Sequence, residues 1–206
     1  MHVLSLSDEV VEILYHPGVQ KRYGDIDLVL GCGDLPYYYL EYLVSALNVP
    51  VYYVRGNHSP VEEHSESGIR KEPGGALDLH RRSLRYGKVI LAGIEGCIRY
   101  NPGNFQYSQE EMWLHVFRLI PSLLLNKLRW GRFLDIFISH APPWGVHDQT
   151  DLPHQGVKAF RWLDITFRPR YHFHGHIHLY RFDAERETIL NNTWVINTYR
   201  YRVTDL

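Results

Sequence analysis

Cysteine is nearly absent: Cys32 and Cys97 are the only two in 206 residues, too few for a disulfide framework in a chain of this size. The plain expectation is a reducing cytoplasm, with both thiols acting as small buried hydrophobes. Long apolar runs are missing too. No window approaches the roughly 18–20 uninterrupted apolar residues of a bilayer span. The first eleven residues already carry Asp8 and Glu9, where a signal peptide would run basic and then apolar, so no membrane partner is expected. An excess of one charge is also lacking. Against 22 Lys and Arg stand 23 Asp and Glu, a formal net charge of -1, which provides no global pull toward nucleic acid or an anionic surface.

Several enzyme signatures are absent as well. Gly31-x-Gly33 follows an apolar run, but the third glycine of a dinucleotide-binding turn is not there, with Tyr37 following Pro36 instead. No Gly-Lys-Ser or Gly-Lys-Thr exists to make a phosphate loop, and no Gly-x-Ser-x-Gly elbow exists for a serine hydrolase. Nor is there an internal repeat, low-complexity tract or linker. With 45% hydrophobic and 22% charged residues, the chain suits one catalytic domain over 1–206 with a substantial core.

What the sequence does have is histidine, 13 in all, the commonest metal ligand and one that titrates near neutrality. Their placement follows the expected elements. Apolar spacing predicts strands over 2–7, 26–30 and 51–54, each closed by a polar turn, with helices over 10–22 and 37–47 between them; such units imply a parallel sheet. Residues 59–75 read as irregular, followed by short antiparallel strands near 76–80, 83–85 and 89–93. A long helix is expected over 109–128, with Pro121 ending or kinking it. A buried strand over 133–139, a loop through Pro153, a helix over 157–167, a strand over 171–173 and closing strands over 188–203 complete the chain.

Asp8, Asp34, Asn57, His58, His140, His176 and His178 all lie where an expected strand stops. In open α/β sheets ligands bind beyond the carboxyl ends of the strands, so residues far apart in sequence can converge there. Taken singly, a strand-end Asp is an ordinary helix cap and Gly-Asn-His an ordinary turn. Together they form a donor set of oxygens and imidazoles without thiolate, suited to Mn, Fe, Zn or Mg rather than to a structural zinc. Gly33, Gly56 and Gly175 each precede a candidate ligand and allow unusual backbone angles there. His172 and His174, on the strand itself, read as packed or exposed.

Taken in order, these motifs resemble those of the calcineurin-like metallophosphoesterase superfamily: Asp-x-His, Gly-Asp, Gly-Asn-His, a lone His, then Gly-His-x-His. Asp8 matches the first, Gly33 and Asp34 the second, Gly56, Asn57 and His58 the third, His140 the fourth, and Gly175, His176 and His178 the fifth. The resemblance spans residues 3–178. It implies a four-layer α/β/β/α sandwich of two mixed sheets, a metal-dependent hydrolase of phosphate esters, and a small phosphodiester or phosphomonoester as substrate, with a lean to diesters. By this likeness one metal is held by Asp8, Asp34 and His178 and the other by Asp34, Asn57, His140 and His176, with Asp34 bridging. Two divalent cations about 3.5–4 Å apart can polarise a phosphoryl group and lower the pKa of a shared water. His58 would protonate the leaving oxygen instead of binding metal.

Two positions depart from the pattern. Val10 stands where the family carries a metal-binding His, which implies one tight metal, manganese among the candidates, and a weak second at Asp8 and His178. Tyr37 stands where many phosphoprotein phosphatases carry an acidic residue that orients the catalytic His, leaving Glu62 or Glu63 as substitutes for that task. Substrate contacts are expected from Arg99, His147 and His154, with Asp148, Asp151, Arg70 and Lys71 as further polar groups near the site. The rival reading is an inactive interaction scaffold on the same fold, like the retromer subunit that resembles these enzymes. Val10 favours it, and His58, which has no role in ligation, opposes it. The sequence does not specify an oligomeric state.

Overall fold

The computed structural model describes residues 1–65, 68–181 and 183–206; residues 66 and 67 of the stretch expected to be irregular lie outside the described residues. The elements in chain order are β1 (His2–Ser7), α1 (Val19–Tyr23), β2 (Leu28–Cys32), α2 (Tyr37–Leu47), β3 (Val51–Val54), β4 (Glu63–Ser65), β5 (Gly68–Arg70), β6 (Ala76–Asp78), β7 (Arg82–Tyr86), β8 (Val89–Ile94), β9 (Cys97–Ile98), β10 (Gln106–Tyr107), α3 (Gln109–Trp130), β11 (Ile136–Ser139), α4 (Lys158–Phe167), β12 (Tyr171–His174), β13 (Glu187–Leu190), β14 (Thr193–Asn197) and β15 (Arg200–Asp205). One sheet runs β15-β1-β2-β3-β6, parallel except for β15. The other runs β13-β14-β12-β11-β8-β7, parallel through its middle and antiparallel at both edges.

The strand period of two sorts side chains between layers. Val3, Leu28, Leu30, Tyr52 and Val54 of the first sheet meet Leu91, Ile136, Ile138 and Phe173 of the second in a shared core. Their alternates Leu4, Leu6, Val29, Val51 and Tyr53 pack outward on Tyr39, Leu40, Leu43 and Leu47 of α2. On the far side Ile90, Ala92 and Phe137 face Met112, Val116, Leu119 and Leu123 of α3 and Phe160 and Leu163 of α4. The result is a four-layer α/β/β/α sandwich. Among the described residues no helix is long and apolar enough to cross a membrane.

The helix expected over 10–22 is mostly absent. Residues 11–15 form a turn, in which the Leu14 and Tyr15 amides donate to the Val11 carbonyl. His16-Pro17-Gly18 then delays α1, because proline has no amide to donate and glycine loses most entropy in a helix. The second strand runs to Cys32, two residues past expectation. Gly31 lies within it, paired with Leu6 and Tyr53, and a side chain there would sit 3.1 Å from Tyr53 Cβ. Pro121 neither ends nor breaks α3. It lies on the solvent side, where the carbonyl it leaves unbonded can turn to water, while the buried face holds the helix in place.

Candidate metal centre

The parallel strands of both sheets end at the same edge, and the site is assembled there. Asp8 follows β1, Asp34 follows β2 and Asn57 follows β3, while from the second sheet His140 follows β11 and His176 follows β12. Close approach requires the glycines. A Cβ on Gly56 would lie 2.2 Å from Asp34 Oδ1 and 2.6 Å from His140, and one on Gly175 would lie 2.8 Å from Asp8 Oδ2. Gly33 also needs its left-handed φ of 95°, whereas Gly56 and Gly175 are not at positive φ. For those two the reason is space rather than the backbone freedom expected.

His140 Nε2 lies at the centre. It is 3.2 Å from Asp34 Oδ2, 3.0 Å from Asn57 Oδ1 and 3.1 Å from His176 Nδ1. The outer bonds fix which atoms face inward. His140 Nδ1–H donates to the Cys32 carbonyl at 2.9 Å, His176 Nε2–H donates to the Pro153 carbonyl at 2.7 Å, and the Asn57 amide nitrogen donates to the Tyr100 hydroxyl at 3.0 Å. With those protons turned outward, two imidazole lone pairs, one amide oxygen and one carboxylate oxygen point at a common centre. Four converging lone pairs repel one another unless a cation lies among them, so the donor set fits a divalent metal.

The protonation balance of the bare cluster says the same. Burial alone would lower the His140 pKa, but the Asp34 carboxylate beside it raises it to about 9. Burial would raise Asp34, yet His140 and the amide of His58, 2.7 Å from Asp34 Oδ1, bring it down to about 2. His176 is pushed down to about 4 by burial and by His140. The pocket thus demands one positive charge at its centre.

The neighbouring position is poorer. Asp8, Asp34 and His140 offer ligand atoms within 4.8 Å of one another. His178, half-exposed, holds Nε2 3.7 Å from Asp8 Oδ1, and that carboxylate raises its pKa. The Asp8 oxygens are already shared with the His176 amide at 3.1 and 3.2 Å. Val10 lines a different recess, with Val11, Glu12, Ile13, Arg186 and Tyr199. Glu9 is bonded to Tyr199 and lies 3.4 Å from Arg200.

A cleft of about 410 Å³ opens over the cluster, lined by Asp8, Asp34, Asn57, His58, Tyr100 and His154 among others. His58 is exposed into it. His154 sits on its rim, 2.6 Å from Asp151. Arg99 and His147 are not where the sequence suggested. Arg99 turns away to Glu111, 2.7 Å off, and to the Gln106 carbonyl, leaving its neighbour Tyr100 as the residue that reaches the site. His147 is partly buried behind the site, bonded to His174 at 2.8 Å and Thr188 at 2.9 Å. Asp148 holds the amides of Gly145 and Gly156, while Arg70 pairs with Glu63 and Lys71 with Glu62. Glu63 accepts from the amides of Tyr37 and Tyr38, so it braces the start of α2 rather than His58. Sequence reasoning missed Tyr100, Gln149 and Tyr180, which also line the cleft. Position beside expected motifs was the only available signal for the first two.

The chain belongs to the calcineurin-like phosphoesterases, whose pattern matches it over residues 7–180. That family comprises metal-dependent phosphoester hydrolases in general. No curated protein matches the sequence closely enough to count as a relative. Among solved structures, TT1561 of Thermus thermophilus is similar at a TM-score of 0.59 and 14% identity, covering 97% of this chain and 89% of that one. GAP50, the anchor in the inner membrane complex of Plasmodium, is similar at 0.51 and 10% identity, covering 96% and 70%. At these identities the likeness concerns the fold alone.

Proposed function

We propose that this protein hydrolyses small phosphate esters, with one divalent cation held by Asp34, Asn57, His140 and His176, and a second, exchangeable one at Asp8 and His178. The observation that supports this is the clustering of Asn57 Oδ1, His176 Nδ1 and Asp34 Oδ2 at 3.0, 3.1 and 3.2 Å from His140 Nε2. A bound cation would supply Lewis acidity toward phosphoryl oxygens and toward water. The remaining work falls to the chain itself. The Asp34 carboxylate fixes the His58 backbone, placing that imidazole in the cleft beside the cluster, where it delivers a proton to the leaving oxygen.

Among the described residues lining the cleft there is no Lys or Arg. A phosphomonoester dianion would therefore meet no Lys or Arg side chain, whereas a diester carries one charge less and needs less compensation. This supports the diester preference. Tyr100 and Tyr180 offer apolar ring faces to an ester substituent.

The test is hydrolysis of an aryl phosphodiester and the matching monoester with added manganese, with chelator, and with His58→Ala. The expected outcome is metal-dependent turnover favouring the diester, and a loss of about 10²- to 10⁴-fold in kcat for His58→Ala. A monoester preference removes the substrate reading. Absence of metal-dependent turnover favours the second reading, a scaffold, which Val10, standing where the family carries a ligand His, supports.

A further inference from the structure

The long helix α3 carries two apolar stripes where a helix laid on a sheet needs one. Met112, Val116, Leu119 and Leu123 are fully buried against the second sheet. On the opposite side Leu114, Phe117, Leu124, Leu125 and Leu128 are 53, 48, 55, 42 and 84% exposed, and Pro121 among them is exposed too. At about 100° per residue these six positions fall within roughly 60° of Pro121, forming a strip about 21 Å long. A contiguous exposed apolar strip of this kind marks an interaction surface.

The strip has a symmetry of its own. Leu114 and Leu128 lie seven residues either side of Pro121, and Phe117 and Leu125 lie four. A two-fold interface requires that where one residue meets a second, the second meets the first. With the axis at Pro121 and the helices antiparallel, Leu114 meets Leu128 of the second copy, Phe117 meets its Leu125, and Leu124 meets its Arg118.

Charge selects the same occupant and direction. The first turn carries Glu110 and Glu111, and the last turn carries Lys127 and Arg129. Glu111 and Arg129 lie on the same flank of the strip, so antiparallel stacking brings each Glu111, which also pairs with Arg99 of its own copy, to within about 3 Å, along the axis, of the other copy's Arg129. Parallel stacking would set like charge on like. The acidic end would also be repelled by an anionic bilayer. We propose that α3 is a self-association surface, joining two copies of this chain through an antiparallel α3–α3 contact centred on Pro121.

Sedimentation velocity of the full chain over a concentration series tests this, with the double variant Leu114→Glu, Leu128→Glu alongside. The expected result is a species of twice the 24.3 kDa chain mass, reduced to 24.3 kDa in the double variant, with unchanged circular dichroism because both leucines are exposed. Oxidised Pro121→Cys should cross-link to itself, and Leu114→Cys, whose copies lie about 21 Å apart, should not. Cys32 and Cys97 are buried and give no background. A mass of 24.3 kDa at every concentration overturns the proposal, as does equal cross-linking at both positions. So does flotation of monomeric protein with anionic vesicles that the double variant abolishes, which would identify a bilayer as the occupant.

Discussion

Asp8, Asp34 and His176 hold φ angles of 68, 56 and 68°, a left-handed region that costs side-chain-bearing residues of order 1–3 kcal/mol each. The cost is tolerated because it turns each side chain back over the strand end toward the others. Gly56 permits this crowding, and Gly56→Ala should abolish tight metal binding and turnover, since the added methyl would overlap Asp34 and His140. The fold should survive with a loss of about 1–3 kcal/mol; metal content after dialysis and thermal unfolding check this. A second expectation concerns the proton on His140. With its pKa raised to about 9, loading a cation near pH 7 must expel that proton, so affinity should climb about tenfold per pH unit until pH 9. Calorimetry in buffers of different ionisation enthalpy should report close to one proton released per tight ion, and none released would count against this arrangement.

Helices are tied to the sheets by a few buried polar links. Asp164 on α4 bonds His172 on β12 at 2.8 Å, and His172 bonds Ser139 on β11 at 2.8 Å, all fully buried. The trio has the composition of a hydrolytic triad, but no substrate reaches it, so its role is to lock α4 onto the second sheet. Asp164→Ala should destabilise the fold by about 3 kcal/mol by stranding a buried imidazole, with the kcat of the stable fraction unchanged; denaturant unfolding and active-site titration separate the two. Elements of this kind were legible in part. Strand ends at Asp8, Asp34, Asn57 and His140 were readable because alternating apolar residues stop where polar ones begin. The helix over 10–22 was misread because Val11 and Leu14 reach the core through a turn that mimics helical spacing. Arg99 and His147 were misplaced because proximity in sequence to a ligand does not fix the direction of a side chain; capping of α3 claimed one and burial the other.

For the molecule as a whole, buried histidine sets the acid limit. Burial pushes His80 down to about 3, His115, His147 and His176 to about 4, and His174 well below its usual value. Unfolded, all five would titrate near 6.5. Between pH 6.5 and 4 the unfolded chain therefore binds more protons, and stability falls with acidification. Asp34, held at about 2, contributes stability that is lost only below 3.8, while Glu95 and Asp164, raised by burial, offset part of the loss. Metal-free protein should unfold well above pH 4, as followed by circular dichroism; a flat stability from pH 7 to 4 would contradict this. The division of ligands between sheets has a mechanical corollary. Asp34 and Asn57 stand on one sheet and His140 and His176 on the other, so an ion shared by all four acts as a rivet through the sandwich. Amide hydrogen exchange in β2 and β11 should then slow together on loading, by the same factor, because neither sheet can open without losing the ion.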